Sequence, residues 1–228
     1  MIINGFLLSC IRYGEQDAVL NCYTQELGFT TFFARSIYSK KNKKKPYLVP
    51  LNELYFQLPD IQKSKSMKTI SKIEPYKILD LFNNLKVNTI VFFLSDFLNS
   101  ILRSETASED IYKEICKLRD EILLENYHCH LVFMLQFLKH YGSMPYLSSG
   151  EYLNPEDGQF ADKLSHKIFT AEISKLWKQI LDSEEPYKVS IPPTIRKELL
   201  DSIILYYKYH IPHFQLPNSL EIVRQIYE

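Results

Sequence analysis

The residues best suited to chemistry are cations that cluster near aromatic side chains in the first third of the chain. The cationic set is Arg35, Lys40, Lys41, Lys43, Lys44, Lys45, Lys63, Lys65 and Lys68. Such groups neutralise phosphates, and the release of condensed counterions gives affinity without sequence preference. The aromatic residues nearby, which could stack on unpaired bases, are Tyr13, Phe32, Phe33, Tyr38 and Tyr47. This combination predicts a site for nucleic acid.

The same residues allow a second interpretation. The lysines could form a solvated loop that only keeps the protein in solution, while the aromatic residues fill a core. Phe32 and Phe33 are adjacent, so in a strand only one of them can face outward. The chain would then be a non-catalytic protein-interaction scaffold with a solubilising basic loop. Residue types alone leave both interpretations open.

Charge is spread unequally along this chain of 228 residues, whose net charge is zero. Residues 1–78 carry 12 Lys and Arg against 6 Asp and Glu, whereas the remaining residues carry 15 against 21. Such asymmetry favours a basic binding module joined to an acidic part.

Signals for catalysis or metal binding are weak. His128, Cys129 and His130 are consecutive, and on a helix their side chains would point about 100° apart rather than toward one ion. The sequence has no Cys-x-x-Cys pair, nucleophile signature, Gly-rich phosphate loop or His-Glu-x-x-His motif. We therefore expect no enzyme activity, no catalytic residue, no metal and no cofactor. A metal-dependent enzyme using the region from His128 to His140 stays a less favoured alternative.

The elements that must position the cationic set change character after Pro75. Strand-like segments bounded by turns are predicted at residues 6–11, 18–24, 29–35, 51–58 and 67–73. Gly28 supplies the positive φ that the hairpin between the second and third segments needs. Five short strands, with a long basic loop between the third and fourth, fit a small closed barrel.

Beyond Pro75 apolar residues recur at helical spacing, and no glycine occurs between Gly28 and Gly142. Helices are predicted over residues 76–102, from a capping box at 106–109 through 124, and over 129–141, 162–181 and 194–209, with a short closing helix after Ser219. The helix at 129–141 is apolar on most sides and should be the buried centre. We predict two domains, residues 1–77 and 78–228, with an irregular loop at about 143–160.

The N-terminal residues lack the positively charged start of a signal peptide, and apolar stretches such as 131–138 are too short to cross a bilayer. We therefore expect a cytoplasmic protein, associated with the nucleoid, whose cysteines are free thiols. These cysteines are Cys10, Cys22, Cys116 and Cys129.

Several motifs occur in an order and spacing typical of one family. They are Tyr13-Gly14-Glu15-x-Asp17, Tyr23-Thr24, Gly28, Ala34-Arg35, Pro50-Leu51, Gly142-x-x-Pro145, Tyr206-Tyr207-x-Tyr209-His210-x-Pro212 and Asn218-Ser219-Leu220-Glu221. Over essentially its whole length the chain resembles the RecO family of bacterial DNA repair proteins, notably members of the Bacteroidetes type.

The resemblance implies an α+β chain: an N-terminal five-stranded OB-fold barrel followed by an all-α C-terminal domain. It implies a recombination mediator that binds single- and double-stranded DNA, anneals complementary strands and helps load RecA on SSB-coated DNA. The implied partners are DNA, the SSB C-terminal tail, RecR and, in the same pathway, RecF and RecA. An acidic tail with an apolar end needs an apolar pocket rimmed by cations, for which Lys139, Arg196 and Lys197 are candidates.

Two positions depart from the family pattern. Many members carry four zinc-binding cysteines after the Gly-x-x-Pro junction, whereas residues 143–160 of this chain contain none. A zinc-dependent role is therefore not expected. Ser36 stands where the family usually has glycine after Ala-Arg, so the backbone at the start of the basic loop could differ.

Overall fold

A computed structural model describes residues 1–59, 67–79 and 84–225. The chain divides into two compact units, Met1–Lys113 with Pro217–Ser219 and Glu114–Leu216 with Leu220–Glu228. The last strand of the first unit ends at Lys77, and this unit continues into helical residues up to Lys113, so the division predicted at residue 77 stays a prediction. In the described ranges, no helix combines the length and apolar character needed to cross a bilayer.

The first unit is built on a sheet that curls on itself. Its described strands are β1 (Ile2–Tyr13), β2 (Asp17–Thr24), β3 (Gly28–Ala34), β4 (Glu53–Gln57), β5 (Lys68–Ile70) and β6 (Lys72–Lys77). Their order is β5-β3-β2-β1-β4-β6, with β3 and β5 parallel. β5 and β6 lie at opposite ends of this order, yet only Ser71 separates them in the chain. The two ends of the sheet must therefore meet, which closes a barrel.

The predicted fold class is confirmed as an OB-fold barrel followed by a helical region. The described sheet has six strands instead of five because the fifth predicted strand is broken at Ser71 and continues to Lys77. The helical region is not purely α, since residues 152–154 and 159–161 pair as a short hairpin. The hairpin predicted at Gly28 is also confirmed: Gly28 has a φ of 68° and pairs with Thr24.

Side chains that alternate along the strands between inward and outward positions fill the barrel. Leu20 and Phe32, directly opposite each other on β2 and β3, are both fully buried. Phe32 stacks on Phe56 of β4 with ring centroids 4.9 Å apart. The core of the barrel is therefore occupied by Phe32 and not by its neighbour Phe33.

The helix after the barrel begins later than predicted. α1 (Leu85–Ile101) starts at Asn84, whose side chain accepts a 3.1 Å hydrogen bond from the N–H of Val87. Tyr76 and Lys77, predicted as helical, belong to β6. Predicted helical residues 80–83 lie outside the described ranges.

The remaining helices are α2 (Glu109–Leu123), α3 (Cys129–Phe137), α4 (Ala171–Asp182), α5 (Arg196–His210) and α6 (Leu220–Gln225). The hairpin strands are β7 (Tyr152–Asn154) and β8 (Gln159–Ala161), and short 3₁₀ helices cover Lys45–Tyr47, Leu138–Tyr141, Pro186–Lys188 and Pro193–Ile195. α4 starts nine residues later than the predicted residue 162, because Thr170 caps it by accepting a hydrogen bond from Ile173.

α3 is the centre of the second unit, as its apolar sequence predicts. Every residue of α3 is buried. Gln136 donates a 2.8 Å hydrogen bond to the carbonyl of Ile180 in α4. Tyr207 of α5 donates one of 2.8 Å to the carbonyl of Met134. These bonds satisfy polar groups that would otherwise be costly to bury.

Candidate nucleic-acid interface

The basic loop starts in a backbone conformation fixed by an earlier turn. Ser36 has a φ of 52°, in the left-handed region that favours glycine. Its N–H donates a 2.7 Å hydrogen bond to the Asp17 carboxylate, and the N–H of Tyr38 donates one of 2.8 Å to the carbonyl of Gln16. The turn between β1 and β2 therefore holds the first residues of the loop in place, beside the exposed Arg35.

The loop lysines divide into two kinds. Lys40, Lys41, Lys43 and Lys45 are exposed, as phosphate contacts would require. Lys44 is half-buried, and its ammonium group donates to the backbone carbonyl of Ile73 in β6. Lys44 thus ties the loop to the barrel, although an ammonium group has three donors and can still bind an anion.

Arg35 and Lys44 come together at a small cavity of about 170 Å³. Its lining is Ala34, Arg35, Ile37, Asn42, Lys44, Ile70, Ser71, Lys72 and Ile73. Asn42 donates to the carbonyl of Ser36 and accepts from the N–H of Lys44, so it shapes the loop around this cavity. The arrangement suits a small anion such as a phosphate group.

The other predicted cations are less closely grouped. Lys68 begins β5, opposite Phe32 in the parallel register, and is half-buried. Lys63 and Lys65 lie outside the described residues. Sequence reasoning did not include Arg12, whose guanidinium donates 2.7 Å to the carbonyl of Glu15 and lies 5.5 Å from the Tyr38 ring centroid. Its position at the exposed end of a strand could have suggested it.

The aromatic candidates also separate into two groups. Phe32 is buried, while Tyr38 and Tyr47 are half-buried and pack against the barrel core. A hydrogen bond with the Cys10 thiol (3.3 Å), followed by burial, raises the pKa of Tyr38 to about 12. Phe33 and Tyr13 lie on the outer side, with ring centroids 5.7 Å apart. The latter two are therefore the candidates that can reach a ligand.

Comparisons with known proteins agree with this architecture. Residues 1–79 match the family model described as Recombination protein O N terminal. The chain is 26% identical to the DNA repair protein RecO of Flavobacterium psychrophilum, over 98% of this chain and 97% of that protein. Over nearly its whole length the chain is therefore similar to RecO proteins. The RecO proteins of Flavobacterium johnsoniae and Porphyromonas gingivalis (strain ATCC 33277) are each 23% identical to it, over 98% and 100% of this chain and 97% and 99% of theirs.

The match to the RecO N-terminal model spans the whole described barrel and the basic loop. The relatives that match over the whole chain are DNA repair proteins by name. At the start of the loop the motif residue Asp17 accepts a hydrogen bond from Ser36, the position that departs from the family pattern.

The segment after the Gly142-x-x-Pro145 junction is held by a lysine. Lys178 of α4 donates a 2.5 Å hydrogen bond to the carbonyl of Gly150 and lies 4.3 Å from the Phe160 ring centroid. Ser148 donates 2.8 Å to the carbonyl of Phe160. A Cβ on Gly150 would lie 2.3 Å from the backbone nitrogen of Ala161, so the two chain segments touch closely.

These residues do not fit a zinc ion. Within the described ranges, no three His, Cys, Asp or Glu side chains come together as ligands. The cysteines lie in β1, β2, α2 and α3, and none is within residues 143–161. A carbonyl, an ammonium group and a phenyl ring are not a zinc ligand set.

Of the histidines considered as metal ligands, His130 is buried and His128 is half-buried. Burial, with smaller effects from the charges of His128 and Arg196, lowers the pKa of His130 to about 3. Burial followed by Arg196 also lowers the pKa of His128. Both imidazoles are therefore neutral at pH 7.

The candidate cations for a protein partner do not form one cluster. The charge of Arg196 contributes to the lowered pKa of His128 and of His130 at the start of α3. Lys139, in contrast, follows the end of that helix. The nine residues of α3 separate the two positions by about 14 Å along its axis. Arg196 donates 3.1 Å to the carbonyl of Ile191.

Lys197 lines a cavity of about 340 Å³ in the second unit. The other lining residues are Asp201, Glu221, Arg224 and Gln225. Arg224 pairs with both Asp201 and Glu221. All of these described lining residues are polar, and none of them provides the apolar floor expected for the end of an SSB tail.

Proposed function

We propose that this protein is a non-enzymatic recombination mediator of the RecO family. In this proposal residues 1–77 bind single- and double-stranded DNA, and the protein anneals complementary strands and helps load RecA on SSB-coated DNA. The observation that carries the proposal is the exposed cationic loop, held against a closed barrel by Asp17 and Lys44. DNA in the cytoplasm and nucleoid is the expected setting.

The contacts we assign to DNA are contacts to phosphates. Arg35 and the exposed lysines at 40, 41, 43 and 45 extend from the loop, while Lys44 contributes at the cavity beside Arg35. Lys63, Lys65 and Lys68 are proposed to extend this track. Phosphate contacts hold a strand without occupying its base edges, which leaves the bases free to pair with a second strand. This property is what annealing requires.

The partner proposal is centred on the start of α5. Arg196 and Lys197 lie in the first turn of α5, where their side chains point about 100° apart, so each would contact a different part of an acidic SSB tail, and Lys139 a third part. RecR, with RecF and RecA in the same pathway, completes the proposed set of partners. Titration of a tail peptide against Arg196→Glu and Lys139→Ala variants tests the two positions separately.

The decisive experiment measures binding of a labelled single-stranded oligonucleotide and of a matching duplex across a salt series. The test variant replaces Lys41, Lys43 and Lys45 with glutamine and leaves Lys44 intact, since Lys44 also supports the loop. Three lost phosphate contacts should reduce the slope of log affinity against log salt by about 2 for single strands.

The matched control replaces three other exposed lysines with glutamine. They are Lys113, Lys117 and Lys188, in the helical region. It changes net charge equally and should leave binding almost unchanged. If both triple variants lost affinity equally, the loop would have no special role. Negligible DNA binding by the unmodified protein at physiological salt would favour the interaction-scaffold alternative.

A further inference from the structure

An uncharged row of side chains crosses the outer face of the barrel. Ile11 pairs with Val19, Val19 with Phe33, and Phe33 with Thr69. Tyr13 continues this row from β1 and packs edge-on against Phe33, with ring planes at 81°. Ile11 and Tyr13 remain 57% and 62% exposed. We call Tyr13 and Phe33 the aromatic pair.

The aromatic pair is not needed to fill the barrel. The adjacent Phe32 points inward, is fully buried and stacks on Phe56. Rings that are left on a solvent face beside an exposed isoleucine form an apolar patch, and such patches mark binding surfaces.

An exposed cation follows the strand that carries Phe33. Arg35 lies in the turn directly after β3, two residues beyond Phe33 and about 7 Å from it along the chain. Arg12, between Ile11 and Tyr13 in β1, pairs with the buried Ala18 and therefore lies on the opposite face. The carboxylate of Asp17, opposite Tyr13, is engaged by the N–H of Ser36. Ring faces next to positive charge match a strand with unpaired bases and anionic phosphates.

We propose that the aromatic pair stacks on unpaired bases of a single strand whose phosphates are held by Arg35 and the loop lysines. This inference rests on the proposed DNA binding and extends it. In a duplex the base faces are already stacked on one another, so a duplex can use only the cations. The aromatic pair therefore sets a preference for single strands over duplex.

A second pair of tyrosines on the barrel provides a matched control. Tyr55 of β4 and Tyr76 of β6 have ring centroids 4.8 Å apart, and Tyr76 is 48% exposed. The register places Tyr55 opposite Glu74, a carboxylate that would disfavour a phosphate backbone. We therefore assign base stacking to the aromatic pair and not to Tyr55 and Tyr76.

The test compares single-strand and duplex affinities of the full chain by fluorescence anisotropy. In the double variant Tyr13→Leu with Phe33→Leu, the single-strand Kd should rise at least about tenfold, since stacking contributes roughly five- to a hundredfold per base. The duplex Kd should change less than about twofold, and the salt slope should stay the same because no phosphate contact is lost. Tyr13→Phe, which keeps the ring, should bind like the unmodified protein.

Folding is checked by thermal unfolding of each variant, and Tyr13→Leu alone, at an exposed position, serves if the double variant is unstable. An unchanged single-strand Kd would overturn the inference. So would equal losses for single strands and duplex, or an equal loss in Tyr55→Leu with Tyr76→Leu. If the unmodified protein bound neither form of DNA, the proposed function would fail and this inference with it. If it bound DNA and the variants did too, only the role of the aromatic pair would be lost.

Discussion

The hydroxyl of Tyr112 donates a 2.8 Å hydrogen bond to the carboxylate of Glu53, which is only 2% exposed. Asn4 donates a second bond of 2.9 Å to the same oxygen. The start of α2 is thereby joined to β4, within the first unit. A carboxylate in such a place depends on its donors, because burying a charge is costly without them.

Replacing Tyr112 with phenylalanine should therefore destabilise the protein. The ring remains and one donor to a buried charge is lost, so we expect a decrease of about 1.5–3 kcal/mol in the free energy of unfolding. Urea denaturation measures this quantity. Tyr76→Phe, at an exposed site, should change it by less than about 0.5 kcal/mol. Equal stabilities of the two variants would contradict the role given to Tyr112.

Replacing Ser36 with glycine should stabilise the start of the basic loop. The left-handed backbone at Ser36 costs roughly 1–2 kcal/mol for a residue with a Cβ. Glycine removes that cost and keeps the N–H that donates a hydrogen bond to Asp17. Part of the gain is lost to the greater freedom of glycine in the unfolded chain, so we expect a net gain below about 1 kcal/mol. Thermal unfolding should show a small rise in Tm, and Ser36→Val should show a fall.

The contacts by which Lys178 of α4 holds the hairpin segment can be tested without any metal. Lys178→Met keeps most of the side chain but removes the donor to Gly150 and the cation beside Phe160. Hydrogen exchange at residues 150–161 should become faster, and the free energy of unfolding should fall by about 1–2 kcal/mol. Lys175→Met, on the exposed side of α4, is the control. A chelator should leave the Tm of the unmodified protein unchanged, and a large fall would contradict the interpretation.

His130 should make the protein less stable in mild acid. Its pKa is about 3 in the folded state, and the ordinary value in an unfolded chain is about 6.5. The folded state therefore binds fewer protons between these values, so stability is full above pH 6.5 and decreases as pH falls toward 3, by up to about 1.4 kcal/mol per pH unit. Denaturation from pH 7 to pH 4 measures the slope. His130→Gln should reduce this slope, and an unchanged slope would contradict the role given to His130.

The sequence predicts the barrel well because its signals are local. Alternation and turn residues locate each strand, and Gly28 marks its hairpin. The break at Ser71 has no comparable signal, since it depends on where the two ends of the sheet meet. The β7–β8 hairpin was missed because its strands are only three residues long. The start of α1 was placed too early because Tyr76 continues an apolar pattern that fits a helix as well as a strand.

At the candidate site, composition identifies the cations but not their separate roles. Lys44 looks like its neighbours in sequence, and only its contact with Ile73, 29 positions away, makes it a structural residue. The sequence predicts that one of Phe32 and Phe33 faces outward, but the register of β3 against β2 decides that it is Phe33. Lys139 and Arg196 are similar in charge, and the length of α3 separates them.

The contacts of Lys178 with the Gly150 carbonyl and the Phe160 ring have a consequence for redox chemistry. Thiolate ligands of a zinc ion would be open to oxidation. An ammonium group held by a carbonyl and a ring has no such reaction and needs no metal supply. The hairpin should therefore keep its structure under oxidising conditions.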